Sequence, residues 1–252
     1  MSGERLVLRG FPLTLSLSKG ERKAFFNGLL KVDRSPLTFS GVERISGALI
    51  DNNMDRAVEP EARSVEQVNA LLPRPGEWQD ADYLWLTRRT RRLVELAGGA
   101  IEVLAKPTER HQAIVAQLFL AVLAVVQRVG GRVLFAPFRL RLRSGRFREP
   151  DLLVLRSADD PRRHDAYWDG ADLVVEVVSE DDPERDTVVK RREYAEAGIR
   201  EYWVVDGRAE TISVLSLEGG VYRERAFGRG TAATSLVLSG LAVDVGAVLD
   251  AR

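Results

Sequence analysis

The sequence predicts an α/β domain, a mixed β-sheet flanked by helices, over about residues 76–252, behind an N-terminal extension of residues 1–75. Three observations predict it. The stretch Asp172–Asp206 reads as strand, loop, helix, strand. The run Thr108–Arg128 repeats apolar residues at helical spacing on a face wide enough to pack against a sheet. Two Gly-Gly pairs, Gly98-Gly99 and Gly219-Gly220, each sit between apolar runs and mark hairpin turns.

Residues 1–75 carry the weakest pattern. Leu13, Leu15 and Leu17 alternate with polar residues and predict a short strand without an evident partner. Residues 1–53 are expected to be disordered, loosely packed or outside the natural product, with Met54 as a downstream start. Ser64 to Leu72 reads as a short helix, with Ser64 as N-cap and Pro73 beyond its end. Asp80–Arg91 reads as a helix with Tyr83, Leu84 and Leu86 on its apolar face, and Leu93–Leu104 as a hairpin. Thr108 caps the long helix, which carries Ile114, Leu118, Val122 and Val125 and ends at Gly130-Gly131.

Strand material from Arg132 to Arg143 is split at Pro137. In its second half Arg139, Arg141 and Arg143 alternate with Leu140 and Leu142, and Ser144-Gly145 turns the chain back through Arg146 and Arg148 to a strand over Leu152–Leu155. Asp159–Gly170 reads as a polar loop. In the central stretch the strand Leu173–Val178 is apolar except for Glu176. A helix from about Arg185 places Lys190 and Tyr194 on one face, Gly198 stops it, and Glu201–Val205 is the next strand. Thr211–Leu217 and Val221–Phe227 form the second hairpin, and the tail Leu236–Leu249 closes the sheet edge or packs on the core.

Composition narrows the chemistry. The 252 residues are 45% hydrophobic and 29% charged, enough for one good-sized core. With no cysteine there is no disulfide, thiol nucleophile or zinc–thiolate site, and two histidines exclude a histidine-rich metal centre. A formal net charge of zero means that any nucleic-acid contact must come from a local basic surface. No signal peptide is legible, and the apolar run Ala113–Val126 is too short to span a bilayer, so the expected location is the cytoplasm, away from membranes.

Two acids then stand out. Glu176 lies inside an apolar strand, where a carboxylate without a partner costs several kcal/mol. Asp151 opens another strand after Glu149-Pro150. If those strands are neighbours, both carboxylates can converge on one divalent cation, because hard cations take oxygen ligands from one or two carboxylates plus substrate phosphate.

At these residues the chain resembles the Uma-type family of restriction endonucleases, within the PD-(D/E)XK nuclease superfamily. The resemblance rests on EPDLLVL, on DLVVEVVS, and on the spacing D-x3-K-x3-Y-x3-G-x2-EYWVVD, and extends from about Gly76 to the C-terminus. It implies a restriction-endonuclease-like core and an endonuclease that hydrolyses DNA phosphodiester bonds with Mg(II) or Mn(II). Asp151 and Glu176 would hold the metal. Lys190 matches the family's helix-borne lysine, while the superfamily's usual lysine position, two residues after the acid, holds Val178. Glu95 matches a further acid on the first hairpin, and His111-Gln112 a His-Gln pair that would support the site from behind. A homodimer is expected, because cutting both strands takes two sites.

Each residue also has a plain structural reading. Asp151 can cap a turn, Glu176 can bridge to Arg141 or Lys190, and Glu95 can face solvent on an edge strand. Lys190 can be an exposed helix lysine paired with Asp186. Tyr194, Tyr202 and Trp203 read as core aromatics. Arg139, Arg141 and Arg143 are the expected nucleic-acid contacts, since arginine grips phosphate with a planar fork, against the alternative of a solvated sheet face. Two other functions therefore stand beside the nuclease: a catalytically silent nucleic-acid-binding module on the same fold, and an intracellular interaction domain with no nucleic-acid role.

Overall fold

The computed structural model describes residues 72–179 and 181–252, together with two short strands, β1 (Leu6–Val7) and β2 (Thr14–Leu15). The chain divides into two compact units, Met1–Arg63 and Ser64–Arg252. In the first, β1 and β2 pair antiparallel with Leu6 opposite Leu15, which gives the alternating leucine segment a partner strand. The remaining expectations for residues 1–53, and the helix expected from Ser64 except for Leu72 itself, lie outside the described residues.

In the second unit the expected mixed sheet is two sheets. The larger has the order β13-β12-β11-β10-β8-β5, built from β5 (Arg132–Phe135), β8 (Leu152–Leu155), β10 (Leu173–Val177), β11 (Glu201–Asp206), β12 (Thr211–Glu218) and β13 (Val221–Gly228). Within this sheet only the β10–β11 pair is parallel, and the helical segment between them makes the crossover. β8 and β10 are buried on both faces, which is why they read as unbroken apolar runs.

One face is covered by the long helix α2 (Glu109–Val129), whose Ile114, Leu118, Val122 and Val125 share a core with Leu152, Val154, Val175, Trp203 and Val205. Its start and stop are those the sequence predicts: Thr108 Oγ1 accepts the backbone N–H of His111 at 3.2 Å, and Gly130 takes the left-handed conformation at φ 72°. α2 is long and apolar enough to cross a membrane, but its apolar face lies on the sheet. The other face packs Leu153, Val174, Tyr194, Tyr202 and Leu215.

The smaller sheet, ordered β4-β3-β7-β6-β9, contains β3 (Val94–Ala97), β4 (Ala100–Val103), β6 (Arg139–Arg143), β7 (Arg146–Arg148) and β9 (Tyr167–Asp169). The β3–β4 turn needs its glycines: Gly98 and Gly99 have φ of 59° and 76°, and a Cβ on Gly99 would stand 2.5 Å from the carbonyl oxygen of Gly76. The chain passes between the two sheets at Pro137, between β5 and β6, and again at Glu149-Pro150, between β7 and β8. Asp151 thus lies at the seam.

Three elements differ from expectation. Helix α1 (Asp80–Thr87) ends before Arg91, because Arg88–Arg92 offers only charge and Thr90 to continue it. The polar loop contains β9, which three residues of Tyr-Trp-Asp do not signal and which forms by parallel pairing with β6. The helix from Arg185 begins as a π-helical turn, Arg185–Lys190, before α3 (Arg191–Glu196). Such turns occur often at functional sites. The tail forms a β14–β15 pair (Ala232–Thr234, Ala242–Asp244) and α4 (Val245–Leu249), whose Val243, Val245, Val248 and Leu249 join the α2 core.

Candidate active site

The antiparallel register of β8 and β10 decides the site. Val175 pairs with Leu152, so one further step sets Glu176 opposite Asp151, at the end where the chain arrives from the smaller sheet. Glu176, inside β10, faces α3, while Asp151 stands just ahead of β8 at the end of the sheet. Asp151 is anchored from two sides: the Val177 N–H donates to its Oδ2 at 2.8 Å, and His111 Nε2, from the start of α2, lies 3.2 Å from the same oxygen. Burial pulls the His111 imidazole down, but the hydrogen bond and charge of Asp151 outweigh it and raise the proton affinity above the ordinary value.

Glu176 is buried against the helical segment. Its Oε1 receives the Tyr194 hydroxyl at 2.6 Å and stands 2.8 Å from Lys190 Nζ. Lys190 is itself buried among three carboxylates, with Asp186 Oδ1 at 3.0 Å and Glu95 Oε1 at 3.9 Å. The sequence spacing therefore correctly aligns Lys190 with Tyr194, while the exposed-lysine alternative fails: Lys190 pairs with Asp186, but inside the protein. Burial pushes the Glu176 carboxyl up to about 8, with Lys190 opposing the rise and Asp186 and Asp151 adding to it. Burial pulls Lys190 down, and the surrounding carboxylates more than reverse this, so the ammonium stays charged.

Glu95 does not face solvent. It is fully buried on β3, where the Glu149 N–H donates to Oε1 at 3.0 Å, and Arg148 Nη1, at 2.6 Å, and Arg185 Nη2 both donate to Oε2. Burial raises its carboxyl, but the cations Lys190, Arg148 and Arg185 hold it down at about 2. The structure thus gathers Asp151, Glu176, Lys190 and Glu95 around the seam between the sheets.

The arginine run is split among other tasks. Arg139 donates to the Ala166 carbonyl at 2.8 Å, and Arg141 forks onto Asp169, with Asp80 3.6 Å away, rather than bridging to Glu176. Arg143 remains exposed and borders two surface clefts of about 360 and 350 Å³ beside the β6–β7 turn, away from Glu176.

Several contributors are not legible in the sequence. Arg148 resembles one more rung of a surface ladder, yet it is 1% exposed; it forks onto Glu193 at 2.7 and 2.9 Å and also holds Glu95 and Glu102. Tyr194 is legible only as a core aromatic. Glu149, one position from the motif's proline, is buried with Oε2 unpartnered among the described residues and Tyr83 Oη 3.5 Å from Oε1. Burial first, then the Glu95 charge, pushes its carboxyl up to about 7. That value lies above the unfolded one, so the stability this proton contributes is complete below about pH 4.5 and is lost as the pH rises through about 7. Glu149→Gln is expected to flatten the fall in melting temperature between pH 5 and 8; calorimetry across that range checks it.

The residues fit a divalent cation that retains other oxygen ligands. Among the described residues no three histidine, aspartate or glutamate side chains form a closed metal-binding group. The hydrogen bonds there use Oδ2 of Asp151 and Oε1 of Glu176, leaving one oxygen of each carboxylate. Two carboxylate oxygens, completed by water and phosphate, match the way magnesium is usually held.

The fold is shared with a solved structure. A crystal structure described as a putative nuclease belonging to DUF820 from Anabaena variabilis aligns with a TM-score of 0.54 at 17% identity, over 64% of this chain and 91% of that one. No curated protein matches the chain. The family Uma2, described as putative restriction endonuclease, matches residues 80–246, and the chain belongs to that family.

Proposed function

We propose that this protein is a metal-dependent endonuclease that hydrolyses DNA phosphodiester bonds. The observation that carries the reading is that the pairing of β8 with β10 brings Asp151 opposite Glu176, with Lys190 2.8 Å from Glu176. Membership of the Uma2 family supports it. Asp151 and Glu176 would hold a magnesium or manganese ion, whose chemistry when bound is Lewis-acid polarisation of the phosphate and a lowered pKa of water. The Lys190 ammonium, kept charged by its carboxylate neighbours, orients the attacking water and offsets the negative charge that grows on the phosphorus oxygens. Tyr194 and the Val177 N–H fix one oxygen of each carboxylate, so the free oxygens are held in place rather than searching. Cutting both strands of a duplex takes two such sites, which a second copy of the chain supplies.

The test is nicking and linearisation of supercoiled plasmid by the purified protein with magnesium, with manganese and with chelator. Metal-dependent cutting is expected, and Glu176→Ala is expected to abolish it. Cutting that the variant retains would refute the assignment of the site. DNA binding without any cutting would instead establish the silent binding module.

A further inference from the structure

The turn that leads from α1 to β3 carries Arg88, Arg89, Arg91 and Arg92, interrupted only by Thr90. All four side chains are exposed. Their polar contacts are local: Arg89 Nη1 approaches the Trp85 carbonyl at 3.4 Å, and the Arg92 N–H donates to Thr90 Oγ1 at 3.1 Å. Among the described residues no carboxylate forms an ion pair with any of the four. The α1 acids are engaged elsewhere, Asp82 with the N–H of Gln79 and Asp80 with the N–H of Gly145.

That sets the turn apart in a protein of zero formal net charge. Arg141, Arg146, Arg148, Arg162 and Arg185 each have a carboxylate partner. Other exposed arginines without a carboxylate partner, such as Arg128, Arg143 and Arg225, are scattered along the chain, whereas here four stand within five residues. Lys106 enlarges it: the Leu104 N–H donates to the Leu93 carbonyl at 2.9 Å, which keeps the chain leaving β4 beside the turn, and Lys106 follows exposed. Trp85 is 48% exposed, and the Arg89 guanidinium lies 4.6 Å over its ring, which orders one fork of the cluster. Arg92 precedes Glu95 by three residues, roughly 10 Å of extended chain. The turn thus leads directly into the strand that carries Glu95.

We infer that the Arg88–Arg92 turn, with Lys106, is the surface that grips the phosphate backbone of the nucleic acid; the choice of nucleic acid as the polyanion rests on the nuclease reading. Guanidinium forks suit phosphate oxygens, and contacts of this kind hold a strand in place without reading its sequence.

The full-length chain in chelator, titrated into a fluorescently labelled DNA duplex, tests this by anisotropy at 50 and 200 mM salt. The variant Arg88→Gln/Arg89→Gln/Arg91→Gln/Arg92→Gln is compared with Arg128→Gln/Arg208→Gln/Arg223→Gln/Arg225→Gln, which removes the same charge from other exposed positions. The turn variant is expected to bind about 10-fold or more weakly at 50 mM salt, with its log–log salt slope shallower by about 0.9 for each phosphate that the turn no longer neutralises. The comparison variant is expected to bind like the wild type. Equal weakening of both variants, or none in the turn variant, overturns the inference. So does a wild type that ignores DNA while binding phosphatidylglycerol vesicles. Plasmid cutting with magnesium is scored separately. Binding that depends on the turn without any cutting would end the nuclease reading and keep the surface; cutting with turn-independent binding would do the reverse.

Discussion

Arg148→Ala is expected to lower the melting temperature by about 10 °C or more. Arg148 is the cation that four elements share: its fork holds Glu193 on α3, its Nη1 holds Glu95 on β3 and Glu102 on β4, and it sits on β7. Glu95 and Glu193 are as buried as the arginine. Truncation leaves those carboxylates in a low-dielectric interior with one neutralising group fewer. Removing one partner of a buried ion pair costs about 3–5 kcal/mol, and in a domain of this size each kcal/mol moves the melting temperature by about 2–4 °C. Arg148→Lys is expected to recover only part of the loss, because a point charge cannot make the two-oxygen contact to Glu193 and reach Glu95 as well. A melting curve within about 2 °C of the wild type for Arg148→Ala would show that the network is dispensable.

Lys190→Met is expected to cut plasmid about 100- to 1,000-fold more slowly than the wild type, on the scale of removing one donor from a preorganised charge-stabilising site. The same substitution is expected to destabilise the fold, since Glu176, Glu95 and Asp186 all lie against Nζ. The two effects separate by pH. Without the ammonium, the Glu176 carboxyl, already raised to about 8 by burial, rises further and takes up a proton more readily. Its folded value exceeds the unfolded one, so lowering the pH restores stability. At pH 5 the variant is therefore expected to melt closer to the wild type than at pH 8, while lost cutting is not recovered. Recovery of both together would assign Lys190 a structural role alone.

The site is partly legible in the sequence for a definite reason. A carboxylate within Leu173–Val178 is conspicuous because burial penalises it, and Asp151 stands out by opening an apolar strand. Lys190 and Tyr194 share a face by helical arithmetic that survives the π-helical turn ahead of α3. Arg146 and Arg148 illustrate the opposite case. Their alternation is what a solvated ladder and a buried clamp have in common, and only the position of Glu193 on the packed helix distinguishes them. Arg88–Arg92 carries no signal of its own in the sequence, because a charged run ordinarily marks a solvated surface; its interest comes from the lack of carboxylate partners among the described residues.

By itself the sequence determined the elements that rest on local periodicity and turn chemistry: α2 with Thr108 and Gly130 at its ends, the two Gly-Gly hairpins, and the apolar strands β8, β10 and β11. These follow from which side chains recur on one face and which backbone angles glycine permits. The tertiary structure alone decided that the strands divide into two sheets at Pro137 and Pro150, that β8 pairs with β10 so as to oppose Asp151 and Glu176, and which arginines are neutralised. Register and ion pairing join residues far apart in the chain, and their energies depend on burial that no local window of sequence contains.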